Sequence, residues 1–145
     1  MFFKKHFFTE EEKKAVVQAI TEAEAMTSGE IRVHIEPKCK GEVLHRAAHV
    51  FYKLGMDKTT HANGVLIYIA HDDRKFAILG DKGINAVVPA NFWDSTKEAM
   101  RDHFKRGEFF TGTVFAIRET GMHLKQYFPH LGDQKNELPN EISEG

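Results

Sequence analysis

Asn63-Gly64-Val65-Leu66-Ile67-Tyr68-Ile69-Ala70, followed by His71-Asp72-Asp73-Arg74 and then Lys75-Phe76-Ala77-Ile78-Leu79-Gly80, decides the fold of this chain. Val65 to Ala70 is an unbroken apolar run, rich in β-branched residues and too short for a helix, which predicts a strand buried on both faces. The four polar residues after it are enough to reverse the chain, so Lys75 to Gly80 returns as the antiparallel partner in a hairpin. A strand buried on both faces needs layers above and below it, and the flanking sequence has to supply them.

Toward the N-terminus, Glu30-Ile31-Arg32-Val33-His34-Ile35-Glu36 alternates with a period of two, which predicts a strand with Ile31, Val33 and Ile35 on one face, lying near a sheet edge. Pro37 ends it. Val43, Leu44, Ala47, Phe51 and Leu54 then recur at helical intervals, predicting a helix from about Glu42 to Leu54 that Gly55 closes in the left-handed conformation. Strand, helix and strand form a right-handed βαβ unit with two parallel strands, and the hairpin makes the sheet mixed. Further out, Thr9-Glu10-Glu11-Glu12 is a capping box opening a helix whose inward stripe is Val16, Val17, Ile20, Ala23 and Met26, stopped by Thr27-Ser28-Gly29.

Toward the C-terminus, Gly80-Asp81-Lys82-Gly83 reads as a turn, and Trp93, Ala99, Met100 and Phe104 line one side of a helical region broken at Gly107. A last helix runs from about Thr111 to Tyr127, with Gly121 an interruption costing ~1 kcal/mol relative to Ala, and Phe128-Pro129 stops it. From His130 onward there is no periodicity. The expectation is one α/β domain over residues 1–129, a three-layer α/β/α sandwich around a small mixed sheet, followed by a polar, flexible tail over 130–145.

Composition bounds what such a domain does. The 145 residues carry 20 Lys and Arg against 21 Asp and Glu, a balance that argues against a nucleic-acid partner. Apolar residues at 41%, with 12 Phe, are enough to fill a core, which excludes global disorder. The single Cys39 forms no intrachain disulfide and, with no apolar run near the ~20 residues a membrane span needs, the chain reads as cytoplasmic, without signal peptide or anchor. Phe2, Phe3, Phe7 and Phe8 are read as closing over a core groove. The other reading of Phe2 to Phe8 is a docking segment for a membrane surface or an unidentified protein partner.

No complete catalytic constellation is present. His45 and His49 share a helix face at zinc-ligand spacing, but Arg46-Ala47-Ala48 between them offers a competing charge and no catalytic Glu, so both read as solvated or capping residues. Asp72-Asp73 after an apolar strand has the place of a nucleophilic carboxylate pair. Adjacent residues on an extended segment diverge, however, and Arg74-Lys75 follows, so the pair reads as an exposed turn. Glu30, Asn63 and Asp81 are the better candidates: the start of the first strand, the start of its parallel neighbour and the end of the antiparallel one must meet at one rim. Three oxygen donors there suit Ca2+ or Mg2+ rather than zinc. Asp72 and Asp73 are the alternative end, roughly 26 Å away along the central strand, too far to share an ion.

Several phrases together resemble the TPM domain family, which includes thylakoid-lumen acid phosphatases and many bacterial envelope proteins. They are Ser28-Gly29-Glu30-Ile31, Asn63-Gly64-Val65-Leu66, Asp72-Asp73-Arg74-Lys75, Gly80 with Gly83, and Phe104, Gly107 and Gly112, spread over about Thr9 to Phe128. The resemblance implies an α/β/α sandwich, divalent-cation binding, phosphatase activity in some members, and photosystem repair or membrane-protein assembly in others. Ala62 stands where relatives often carry an acidic residue, which removes one potential ligand. The functional expectation is a small soluble domain that binds a divalent cation weakly and acts as an interaction module. The alternative is a metal-dependent acid phosphatase hydrolysing phosphomonoesters, in which a bound cation polarises the phosphoryl oxygens.

Overall fold

A computed structural model describes residues 7–145; Phe2 and Phe3 lie outside the described residues. Helix α1 (Glu10–Glu24) starts at the capping box: Thr9 accepts from Glu12 N, and the Glu12 carboxylate accepts from Thr9 N at 2.9 Å. Strand β1 (Glu30–Glu36), helix α2 (Val43–Lys53), strand β2 (Gly64–Ala70) and strand β3 (Lys75–Gly80) follow. They pair as the periodicities require, β1 parallel to β2 and β2 antiparallel to β3. Every residue of β2 is buried, because helices cover both faces of the sheet.

Alternation divides the strands between two cores. Ile31, Val33, Ile35, Val65, Ile67 and Ile69 face α1 and two later helices, α4 (Asp94–Lys105) and α5 (Phe109–Leu124). Leu66, Tyr68 and Ala77 face Ala47, Val50 and Phe51 of α2. A residue such as Ile67, wholly excluded from water, contributes about 1.5–3 kcal/mol to this arrangement. The result is a mixed α/β structure with an open sheet, compatible with the expected α/β/α sandwich. Phe8 is buried in the first core and Phe7 packs against it, as aromatic residues closing a groove should.

Several details differ from the sequence reading. Asp81 does not merely enter a turn; its carboxylate accepts from Lys82 N and caps a short helix, α3 (Lys82–Asn85). Gly83 permits the close approach this needs, since a Cβ there would lie 2.5 Å from the carbonyl oxygens of His61 and Ala62. Helix α5 begins and ends earlier than its apolar stripe suggests. Gly121 is no defect in it: a Cβ at this position would sit 2.8 Å from Ala23 Cβ and 3.0 Å from Ala23 Cα, so its absence lets α5 lie close against α1.

The segment after Phe128, which has no periodicity, follows a defined path. Gln134 Nε2 donates to Thr27 O at 3.1 Å, Asn140 Nδ2 to Thr21 Oγ1 at 3.2 Å, and Leu138 is buried against the α2-side core. The segment ends in β4 (Ser143–Glu144), parallel to β1 at His34 and Ile35. The sheet order is therefore β3-β2-β1-β4, and β1, expected near an edge, is covered over part of its length. Single anchors and backbone pairing do this work, and neither leaves a periodic trace in sequence. Among the described residues, no helix is long and apolar enough to cross a membrane.

Candidate functional site

Strand direction brings Glu30, Asn63 and Asp81 to one rim. Glu30 pairs with Gly64, Glu30 N donates to Asn63 O at 3.2 Å, and Asp81 N donates to Gly64 O at 2.9 Å. Their side chains then turn to different neighbours. Asn63 Nδ2 donates to Ser28 O at 3.1 Å, Asp81 Oδ1 accepts from Lys82 N at 2.8 Å, and Glu30 Oε1 accepts from Glu137 N and Leu138 N, both at 2.7 Å. Asp81 Oδ2 is buried without a hydrogen-bond partner. The backbone rim exists, while the three side chains are engaged separately.

The partner that the structure gives Glu30 is Glu24. This residue ends α1, and its Oε2 accepts from Ile31 N at 2.9 Å. Glu24 and Glu30 line one cavity of about 270 Å3 together with Thr21, Asn136 and Asn140, with Lys135 at the same cavity. Burial pushes the Glu24 carboxyl up to about 7, opposed by the Ile31 N–H and reinforced by the negative charge of Glu30. Burial also raises Glu30, against the stabilising Leu138 and Glu137 N–H groups, and the Glu137 charge adds to the rise. Two carboxyl groups thus crowd a site lined with amide residues, an arrangement that a cation would relieve. Among the described residues, no group of three or more His, Cys, Asp or Glu side chains is placed to hold a metal ion. Sequence reading passed over Glu24, although an acidic residue in a last turn that has no basic one opposes the helix dipole, a signal that it has another use.

A second polar cluster sits under α2. Glu36, 5% exposed, accepts from Arg46 Nε and a terminal guanidinium nitrogen, each at 2.8 Å, and from the Tyr68 hydroxyl; His34 Nε2 is 3.1 Å away. The Arg46 hydrogen bonds hold the Glu36 carboxyl down at about 2, against the opposing effect of burial. Burial pushes the His34 imidazole down, against the pull of Glu36. His34 Nδ1 meets Ser143 Oγ at 2.9 Å, so the network joins β1, β2, α2 and the tail. Its groups satisfy one another, which is the chemistry of a structural clamp. Of the polar residues of β1, Glu30, His34 and Glu36 are buried and Arg32 is half-buried.

Asp72 and Asp73 lie at the other end of β2, roughly 20 Å from the rim at ~3.3 Å per residue. Asp73 Oδ2 accepts from Cys39 N at 2.7 Å, and Asp72 Oδ1 lies 3.2 Å from His71 Nδ1. Arg74, Lys75, Arg101 and Lys105 line the adjacent cavity, so this end favours anions over cations. His45 and His49 are exposed on α2, and His45 N donates to Glu42 Oε2 at 2.8 Å.

Comparison with known proteins agrees with this architecture. The NMR structure of the BA42 protein from Bizionia argentinensis has 51% sequence identity, covers 100% of both chains and superposes with a TM-score of 0.92. The N-terminal domain of the cg2496 protein from Corynebacterium glutamicum shares the fold at 13% identity and a TM-score of 0.65, over 80% of this chain and 73% of that one. A search of curated proteins gives no match. The family model described as the TPM domain matches residues 2–122. On that match and this fold, the chain belongs to the TPM domain family.

Proposed function

We propose that this TPM domain is a binding module that takes a divalent cation, Ca2+ or Mg2+, weakly at the Glu30 rim, and that it acts through interaction with a protein partner rather than through turnover. The supporting observation is the convergence of Glu24 and Glu30 on one cavity lined also by Thr21, Asn136 and Asn140. Hard cations favour carboxylate and amide oxygens, and a bound cation would offset the burial that raises both carboxyl groups and the Glu30 charge that adds to the rise at Glu24. Of the residues read from sequence, Glu30 carries this reading. Asn63 and Asp81 do not line this cavity, and the buried Asp81 Oδ2 is a further acceptor at the same sheet end. Lys135 at the cavity competes for the site and keeps the affinity low. Glu30 also accepts from Glu137 N and Leu138 N, so a bound cation and the docked tail share one carboxylate, which links ion binding to the surface offered to a partner.

Titration with Ca2+, and separately with Mg2+, followed by amide chemical shifts, tests the site. Saturable shifts are expected at residues 24–30 and 134–140 and should be lost in a Glu24→Gln, Glu30→Gln double variant. Shifts centred on Asp72 and Asp73, or none at all, would overturn the proposal. Hydrolysis of p-nitrophenyl phosphate at mildly acidic pH with Ca2+ or Mg2+ present tests the acid phosphatase alternative. Background rates are expected, and rates abolished by Asp81→Ala would favour the enzyme instead.

A further inference from the structure

The hairpin end carries a site of opposite character, independent of the cation reading. A cavity of about 300 Å3 opens between β3 and helices α4 and α5. Its apolar wall is Phe76, Phe104 and Phe109, which brace one another at ring-centroid distances of 5.4 Å for Phe76 with Phe104 and 5.3 Å for Phe104 with Phe109. Its polar wall includes Arg74, Arg101 and Lys105, all exposed. None of these three cations pairs with a carboxylate among the described residues, and residues 1–6, Met-Phe-Phe-Lys-Lys-His, contain no acidic residue.

Of the nearby acids, Asp73 accepts from Cys39 N and Asp72 lies beside His71, while Glu98 and Asp102 on α4 form no ion pair with Arg101 or Lys105. Lys75 is also committed, donating to Gly41 O at 2.9 Å and Cys39 O at 3.2 Å. The Arg101 guanidinium lies 5.9 Å over the Phe76 ring, which sets one charge directly above the aromatic wall. Arg74 has φ 54°, a left-handed conformation that glycine would adopt at no cost, yet the position carries a cation facing the cavity.

A partly open aromatic cavity beside cations that form no ion pair among the described residues is complementary to a molecule with an apolar body and an acidic head. We propose that this cavity binds a small amphiphilic carboxylate of the fatty-acid kind, its chain against Phe76, Phe104 and Phe109 and its carboxylate between Arg74, Arg101 and Lys105. The volume is at the small end of ligand cavities, ~300 Å3, which suits a short chain better than a long one.

Octanoate is the probe, titrated into the full chain and followed by amide chemical shifts, with acetate supplying the same head without the body and octanol the same body without the charge. Octanoate should give saturable shifts at residues 69–76 and 101–109, and both controls should bind roughly tenfold more weakly or worse. The Arg101→Gln, Lys105→Gln variant changes two exposed helical positions to another good helix former. It should keep its native spectrum and lose octanoate affinity by roughly tenfold. Octanol binding as well as octanoate, acetate binding as well as octanoate, shifts elsewhere in the chain, no shifts, or a variant that binds like the parent would each overturn the proposal.

Discussion

Raising the pH should weaken this protein through Glu24, and Glu30, which burial also raises, acts with the same sign. Glu24 holds its proton up to about 7 in the folded chain against an ordinary value of 4.5. Between those values the folded state binds more protons than the unfolded one, so stability falls as pH rises; the contribution is complete below 4.5 and is lost by the time the pH has passed 7. At about 1.4 kcal/mol per pH unit, a difference of about 2.5 gives about 3.5 kcal/mol as a ceiling, which partial exposure to solvent reduces to about 3. Glu36 and His34 act with the opposite sign, since both are held below their ordinary values and lose stability as the pH falls. A comparison with Glu24→Gln cancels both. The amide of that variant can still accept from Ile31 N but does not titrate. Urea unfolding at steps from pH 4.5 to pH 8, with chelator present, should show the parent losing stability relative to the variant, by up to about 3 kcal/mol at the alkaline end. Excess Ca2+ should restore part of that loss at pH 8 and little at pH 5; at ten times Kd the gain is about 1.4 kcal/mol. Parallel pH profiles for parent and variant would refute the account of a crowded carboxyl pair, whatever the ion does.

Further outcomes concern the packing around the site. Gly121→Ala gains about 1 kcal/mol of helix propensity but drives a methyl group into Ala23, an overpacking that costs about 1–3 kcal/mol, so a net loss near 1 kcal/mol is expected in thermal or urea unfolding. A more stable Gly121→Ala would mean that α1 and α5 part without cost. Arg46→Met leaves Glu36 buried without its counter-ion and should cost about 2–4 kcal/mol, less than for a fully buried pair because the Arg46 side chain is 35% exposed. Adding Glu36→Gln should recover much of that loss, and a single variant as stable as the parent would remove the clamp from the account.

Much of the architecture was legible because it follows from periodicity. The apolar run of β2, the alternation of β1, the stripes of α1 and α2 and the Thr9 capping box all record local geometry, and the parallel pairing of β1 with β2 follows once a helix connects them. The candidate rim was legible in the same way, since strand direction alone gathers the backbones of Glu30, Asn63 and Asp81. Side-chain direction was not, because it depends on loops: Glu30 turns to Glu137 and Leu138, which are more than a hundred residues away in a segment with no period. Glu24 and the Glu36–Arg46 pair were hidden for a related reason. A charged residue looks solvated in sequence until a distant element covers it. Gly121 was misread as a weak point because helix propensity describes one helix, whereas this glycine serves the contact between two.

The Glu30 carboxylate is the knot that ties the last stretch of chain to the sheet, with the N–H groups of Glu137 and Leu138 both anchored on a single oxygen. Those amides are therefore sentinels. Their hydrogen exchange should slow when that oxygen bears full charge and quicken when a proton draws the charge away.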